Sequence, residues 1–156
     1  MTSMKRVCQA VLLSLALGAG AAPSYSVADP RPVDPFVPGI NEDPQLAAAW
    51  QDWQSRGVDD YVLAVQRRCF CPPSAAVRTV VRDDAIVKVT QGERRLRPRK
   101  GWSMDGLFIM LREALAEADS VDVQFTPRGV PKTIAVDPER TVADEETYYT
   151  VALSRR

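Results

Sequence analysis

The chain has 156 residues, of which 46% are hydrophobic and 26% charged, with 20 basic side chains, 20 acidic side chains and no histidine. This composition is typical of a globular domain and excludes a disordered chain, a collagen and a multi-span membrane protein. The lack of histidine excludes Ser-His-Asp and Cys-His catalysis, histidine-ligated zinc and an imidazole pH switch. A formal net charge of zero gives no overall attraction to nucleic acid or to an anionic membrane.

Residues 1–28 have the pattern of a secretory signal peptide. Basic side chains precede an apolar run over residues 7–22, and small residues suited to signal-peptidase cleavage follow. The run is shorter than the roughly 20 residues that a membrane-spanning helix needs. We therefore predict cleavage after Ala28, with Ala21 as the alternative, and an exported protein in the periplasm or outside the cell. No stable membrane anchor is expected after cleavage.

A proline-rich segment follows over residues 29–44. Its prolines are Pro30, Pro32, Pro35, Pro38 and Pro44. Proline fixes φ and removes a backbone donor, which favours an extended polyproline II chain. We predict a linker here and a single folded domain over residues 45–154.

The domain is predicted to begin with a helix. Asp43 suits the N-cap and Pro44 suits the first turn. The apolar residues at helical spacing are Leu46, Ala49, Trp50 and Trp53. One face of this helix should therefore be buried, with both tryptophans in the core, and Gly57 should end it.

Strand patterns occupy the next part of the chain. Residues 58–71 are rich in β-branched and aromatic side chains and stop before two prolines. Residues 77–81 and 86–89 predict a hairpin across a tight turn at 83–84. Residues 91–101 predict a polar, basic loop.

A second helix and three more strands complete the pattern. Ser103 suits an N-cap, and the apolar residues that follow at helical spacing are Met104, Leu107, Phe108, Leu111, Leu115 and Ala118. Strand patterns then cover residues 121–125, 133–136 and 148–153. The predicted order is αβββ-αβββ, an α+β fold with a mostly antiparallel sheet of about six strands and both helices on one face.

Cys69 and Cys71 are the cysteines that remain after loss of a signal peptide carrying Cys8. In an extended strand their Cα atoms would lie about 6.6 Å apart on one face, inside the disulfide range. Because an exported chain meets oxidising conditions, a disulfide is the leading interpretation. Three others stay open: two packed reduced thiols, a redox couple with thiol pKa values lowered by neighbouring arginines, and a soft-metal site such as copper(I).

Positive charge is concentrated in the predicted loop. Its cations are Arg94, Arg95, Arg97, Arg99 and Lys100. They form a candidate anion-binding patch, with a solvated connector as the alternative. Because few aromatic residues are interleaved with them, no nucleic-acid partner is expected.

Four short motifs carry a family resemblance. They are the strand ending in Cys69-Phe70-Cys71-Pro72, the helix start Asp105-Gly106-Leu107-Phe108, the turn with Gly129 and Pro131, and the pair Asp144-Glu145 before Tyr148 or Tyr149. Over about residues 50–151 the chain resembles the bacterial family labelled domain of unknown function 6174. Members are similar in being mostly small secreted or lipid-anchored proteins, and the resemblance implies no activity. The chain departs from the family at Asp83-Asp84, where Asp-Gly is usual, and at Val130, where an aromatic is usual.

These patterns predict an exported, non-enzymatic module that binds a protein or small-molecule partner. We expect no catalytic residue, no cofactor and no metal ligand. The rival hypothesis is a thiol-redox or copper-handling protein that uses Cys69 and Cys71, and it requires exposed sulfur atoms. A third hypothesis, anion binding by the basic loop, requires salt-sensitive retention on an anionic matrix.

Overall fold

The computed structural model describes residues 29–155, so the predicted signal peptide and both cleavage sites lie outside the described residues. The helices are α1 (Pro44–Gln54) and α2 (Met104–Glu117). The strands are β1 (Arg31–Pro32), β2 (Tyr61–Arg68), β3 (Val77–Arg82), β4 (Ala85–Gln91), β5 (Arg94–Leu96), β6 (Ser120–Phe125), β7 (Pro131–Asp137) and β8 (Thr147–Arg155). A 3-10 turn at Pro98–Lys100 precedes α2. No helix in the described range is long and apolar enough to span a bilayer.

All strands pair antiparallel in one sheet. The order is β1-β4-β3-β2-β8-β7-β6, and β5 also pairs with β4. The α+β class and the antiparallel sheet are therefore confirmed. Within residues 29–155 the sheet has eight strands, so the predicted number of about six and the order αβββ-αβββ are wrong. Both extra strands, β1 and β5, are too short to show a period-two pattern, and each forms only because β4 offers it an edge.

The β3–β4 hairpin has the predicted tight turn. Asp83 and Asp84 both adopt positive φ, at 47° and 52°. Positive φ at both central residues matches a type I′ turn, whose twist suits a two-residue hairpin. Aspartate at the second position therefore keeps the turn that the usual Asp-Gly pair would form.

Local side-chain hydrogen bonds fix where the helices begin. The Asp43 carboxylate accepts from the backbone N–H of Leu46, and the Ser103 hydroxyl accepts from that of Gly106, both at 2.9 Å. Each of these bonds supplies an acceptor for a backbone N–H group of the first helical turn, which has no acceptor within the helix. Both predicted N-caps are confirmed.

The core lies between the two helices and one face of the sheet. Trp53 of α1 packs edge-on against Tyr61 of β2, and Phe108 of α2 stacks with Phe125 of β6. Trp50 is also buried, so the prediction that both tryptophans belong to the core is confirmed. Because these contacts fall on the same sheet face, both helices cover that face and leave the other to solvent.

The proline-rich segment packs on the domain rather than lying apart from it. Phe36 is 2% exposed, and its ring lies 5.1 Å from that of Trp50 and 5.4 Å from that of Phe108. Its backbone N–H donates to the Asp105 carboxylate at 2.9 Å. Proline spacing predicts an extended chain but does not show that one apolar side chain between prolines can anchor it. We call residues 29–42 the strap.

A charge pair with one buried partner holds the end of the strap, since the Glu42 side chain is buried and that of Arg112 is 38% exposed. The Arg112 guanidinium lies 4.1 Å from the centre of the Phe36 ring and donates through Nε to Glu42 at 2.8 Å. The Glu42 side chain is 7% exposed, and its hydrogen bond with Arg112 lowers the pKa of its carboxyl group. Arg112 therefore links α2 to the strap by cation–π contact and by charge.

Candidate binding surface

The sheet face opposite the helices is open to solvent along β8. Side chains alternate between the two faces along each strand. On β8 the positions facing away from the helices are all exposed, namely Tyr148, Thr150, Ala152 and Ser154. Cross-strand register places Arg68 beside Tyr148 on this same face. We call this surface the open face.

The two cysteines form a tight turn at the end of β2. Their sulfur atoms lie at disulfide distance and their Cα atoms are 5.1 Å apart. The backbone N–H of Cys71 donates to the carbonyl of Cys69 at 2.7 Å. The strand therefore ends at Arg68, and the prediction that it continues extended to Cys71 is wrong. Pairing with β3 stops at Val65 and pairing with β8 stops at Arg68, so no neighbouring strand supports residues 69–71.

This turn projects a hydrophobic side chain into solvent. Phe70, between the two cysteines, is 81% exposed. Cys69 is half-buried and Cys71 is exposed, so neither is covered by the helices. The two sulfur atoms lie close enough for a disulfide. The redox hypothesis requires exposure of the pair, and Cys71 is exposed.

Two shallow depressions meet at the base of this turn. One, of about 420 Å³, lies on the open face and is lined by Arg68 and Tyr148 together with polar residues of β6 and β7. The other, of about 460 Å³, is lined by Arg68, both cysteines and the prolines that follow them. Arg68 belongs to both depressions. We call Arg67, Arg68, Phe70, Tyr148 and the cysteine turn the tip surface.

The predicted basic patch does not converge on one site. Arg94, Arg95, Arg97, Arg99 and Lys100 are all exposed. Arg95 pairs with Thr90 and shares the open face, whereas Arg94 lies on the same side as Leu96, which packs against the core. Arg99 and Lys100 follow in the 3-10 turn and line a different cleft, beside the start of α2. Period-two alternation along β5 separates charges that are adjacent in sequence.

An acidic cleft of about 500 Å³ lies between the strap and the end of α1. Its carboxylates are Asp59, Asp84 and Asp105. Burial raises the pKa of Asp105, and the nearby charge of Asp84 adds to this effect. Burial also raises the pKa of Tyr61, at the floor of the cleft, to about 12.

Metal-ligating side chains do not come together in residues 29–155. No group of three His, Cys, Asp or Glu side chains there is arranged to hold a metal ion. Glu139, Asp144 and Glu145, which precede β8, lie in exposed loop positions. The cysteine pair thus has no third protein ligand of these types in the described part of the chain.

Sequence patterns did not show that Arg68 and Tyr148 lie side by side on one face of the sheet. Each was included in a predicted strand, and alternation along that strand shows which residues share its faces. The missing information was the register between strands, which decides the neighbours across the sheet. For Arg68 and Tyr148 this register depends on contacts between β2 and β8, which are far apart in the sequence.

The comparisons with known proteins give a family match. The model described as "Family of unknown function (DUF6174)" matches residues 45–156. This range begins at the second residue of α1 and includes the cysteine turn, α2 and every strand from β2 to β8, whereas the strap precedes it. No curated protein and no solved structure matches the chain.

Proposed function

The chain belongs to the family of unknown function DUF6174, and we propose that this member is an exported, non-enzymatic module that binds a protein partner through its tip surface. The observation that carries the proposal is the 81% exposure of Phe70 at the apex of a turn closed by Cys69 and Cys71. The absence of histidine supports the non-enzymatic part, and the signal-peptide pattern supports export.

The tip surface has the chemistry of an energetic centre in a protein interface. Binding energy is concentrated in a few aromatic and arginine side chains near the middle of an interface. Phe70, Tyr148 and Arg68 supply these side-chain types at one end of the sheet, and Tyr148 is 53% exposed. None of the three is covered by the helices, so their exposed area is available to a partner.

A closed turn also reduces the cost of binding. Ordering a flexible loop on association costs free energy, and a loop already held in one conformation avoids most of that cost. The Cys71 N–H to Cys69 carbonyl hydrogen bond and the cysteine pairing both restrict the backbone around Phe70. We therefore assign the cysteine pair a positioning role for Phe70.

Site-specific photocrosslinking tests the proposal. A benzoylphenylalanine residue would replace Phe70 in one sample and the fully exposed Ile40 of the strap in another, in cells that produce the protein. We expect a discrete adduct from position 70, and competition for it by the unlabelled protein but not by its Phe70→Ala variant. Equal labelling from both positions, or equal competition by Phe70→Ala, would contradict the proposal.

A thiol-redox or copper-handling protein is the second candidate. The observation that favours it is the exposure of Cys71 beside Arg67 and Arg68, since neighbouring cations lower a thiol pKa once the pair is reduced. Insulin reduction with dithiothreitol and competition for copper(I) with a chromogenic chelator would measure the two activities. Activity that is lost in Cys69→Ser/Cys71→Ser but kept in Phe70→Ala would replace the binding-module proposal.

A further inference from the structure

We propose a second binding site on the open face, where Arg78, Lys88 and Arg95 bind an extended acidic segment of a polypeptide. The site is formed by β3, β4 and β5. It is separate from the tip surface and does not depend on the function proposed for it.

Register brings the three cations together from three consecutive strands. Thr90 of β4 pairs with Arg78 of β3 on one side and with Arg95 of β5 on the other. Lys88 lies two residues before Thr90 on the same face and pairs with Val80. All three cations are exposed. Strands β3 and β5 flank β4, so Arg78 and Arg95 lie on either side of Thr90. Lys88 is the next residue along β4 on the same face.

These charges are not neutralised within residues 29–155. None of the three cations has a carboxylate within ion-pair distance there, whereas the neighbouring Arg82 is paired with Asp60 at 3.4 Å. Strands β2 to β5 carry no acidic residue at all. Asp122, an exposed carboxylate of the open face, lies on β6 at the opposite edge of the sheet. The site therefore attracts anions locally although the whole chain is close to neutral.

The spacing of the cations suits an extended acidic chain. Diagonal neighbours on adjacent strands lie about 7–8 Å apart, which is the relation between Arg78 and Lys88. Alternate residues of an extended polypeptide point to one side about 6.6–6.8 Å apart. Carboxylates at alternate positions of such a segment can therefore contact Arg78 and Lys88 at the same time. Arg95 lies about 10 Å from Arg78, across two strand spacings, and can contact a third carboxylate.

The side chains between the cations favour a polypeptide over a nucleic acid. The open face near them presents Ala64, Val80 and Thr90, which are small and uncharged. Single-stranded nucleic acids bind by stacking bases on aromatic side chains as well as by charge. The open-face positions of β2 to β5 hold no aromatic residue. A flat surface with charge alone fits an acidic segment that lies across it.

Fluorescence anisotropy with a labelled peptide of alternating glutamate and serine tests the proposal. The protein purified from producing cells is titrated in low salt and in about 0.15 M salt, where charges are screened within about 8 Å. We expect salt-sensitive binding that Arg78→Ala/Lys88→Ala/Arg95→Ala weakens by at least about tenfold. The matched control, Arg94→Ala/Arg99→Ala/Lys100→Ala, removes the same number of arginines and lysines and should change the affinity by less than about twofold.

Further measurements keep the proposal falsifiable. Lys88→Gln alone, at an exposed strand position, should weaken binding about threefold without unfolding the protein. Equal losses in both triple variants would overturn the proposal, because net charge alone would then explain binding. Binding of an oligonucleotide or heparin but not of the peptide would also overturn it. Phe70→Ala should bind the peptide normally, so failure here and failure of the tip-surface proposal are distinguishable.

Discussion

The hydroxyl oxygen of Tyr61 accepts a hydrogen bond from the backbone N–H of Met104 at 3.0 Å. Tyr61 begins β2 and Met104 begins α2, so this bond ties the central strand to the start of the longer helix. Both groups are buried. If a buried N–H group loses its acceptor, the free energy of removing that group from water is no longer offset by a hydrogen bond.

Tyr61→Phe should therefore lower the free energy of unfolding by about 1–3 kcal/mol. The phenyl ring keeps the packing against Trp53, and only the acceptor for Met104 is lost. Urea unfolding of both proteins would measure the difference. Tyr148→Phe, at an exposed position, is the control and should change stability by less than about 0.5 kcal/mol. Equal effects of the two variants would show that the Tyr61 hydroxyl contributes nothing specific.

Asp105→Asn should change how stability depends on pH. Because burial raises the native pKa of Asp105, folding favours its protonated form. The favourable contribution of Asp105 to the free energy of unfolding is complete below the pKa that this carboxyl has in the unfolded chain. It is lost as the pH rises through the pKa that the carboxyl has in the native protein. The asparagine oxygen can still accept from the Phe36 N–H without a buried charge.

We thus expect Asp105→Asn to be at least as stable as the original protein at pH 7, with the advantage shrinking as the pH falls. Thermal unfolding across a pH series would measure it. Asp122→Asn, at an exposed site, should show no such trend. If the stability of Asp105→Asn relative to the original protein were lower at pH 7 than at pH 4, the expected direction of the pH dependence would be wrong.

Phe36→Ala should destabilise the whole domain. The ring fills a space between Trp50 and Phe108 and carries the Arg112 guanidinium on its face. Truncation of a buried phenylalanine costs about 3–5 kcal/mol. Val37→Ala, 69% exposed, is the matched control and should cost less than about 0.5 kcal/mol. If Phe36→Ala lowers the free energy of unfolding no more than Val37→Ala does, the strap does not unfold cooperatively with the rest of the domain.

Gly129→Ala should be far more damaging than Gly57→Ala. Both glycines have positive φ, 71° and 52°, so each substitution carries the conformational cost of about 1–2 kcal/mol. A Cβ at position 129 would also collide with the carbonyl oxygen of Ala49 and lie 2.7 Å from the nitrogen of Trp53, whereas a Cβ at 57 meets nothing within 4 Å. Denaturant unfolding of Gly129→Ala and Gly57→Ala would measure the extra free energy of unfolding that the collision at position 129 costs. Similar losses of stability in the two variants would show that the turn and α1 separate easily.

Local rules read from the sequence account for much of the fold. The helix starts at Asp43 and Ser103, the buried tryptophans and the turn at Asp83 and Asp84 each depend on residues within one or two turns of the chain. The helix and strand types follow from the spacing of apolar residues for the same reason. The Cys69 and Cys71 pair was also visible, since its two members are separated by one residue.

The tertiary structure decided which of these local elements meet. Phe36 joins the core, and β1 and β5 become strands, only because residues about 50–70 positions away or the edge of β4 complete their contacts. Arg95 lies with Arg78 and Lys88, rather than with Arg94, because pairing to β4 fixes which face each side chain takes. The sequence by itself determined the helix starts, the buried helix faces and the turn at Asp83 and Asp84. It did not predict the turn at Cys69 and Cys71, because residues 58–71 have the composition of a continuous strand. The tip surface depends on the pairing of β2 with β8, two strands far apart in the sequence. The site at Arg78, Lys88 and Arg95 depends on the register of the β3–β4 and β4–β5 pairs, which is set by hairpin turns and by which face is buried.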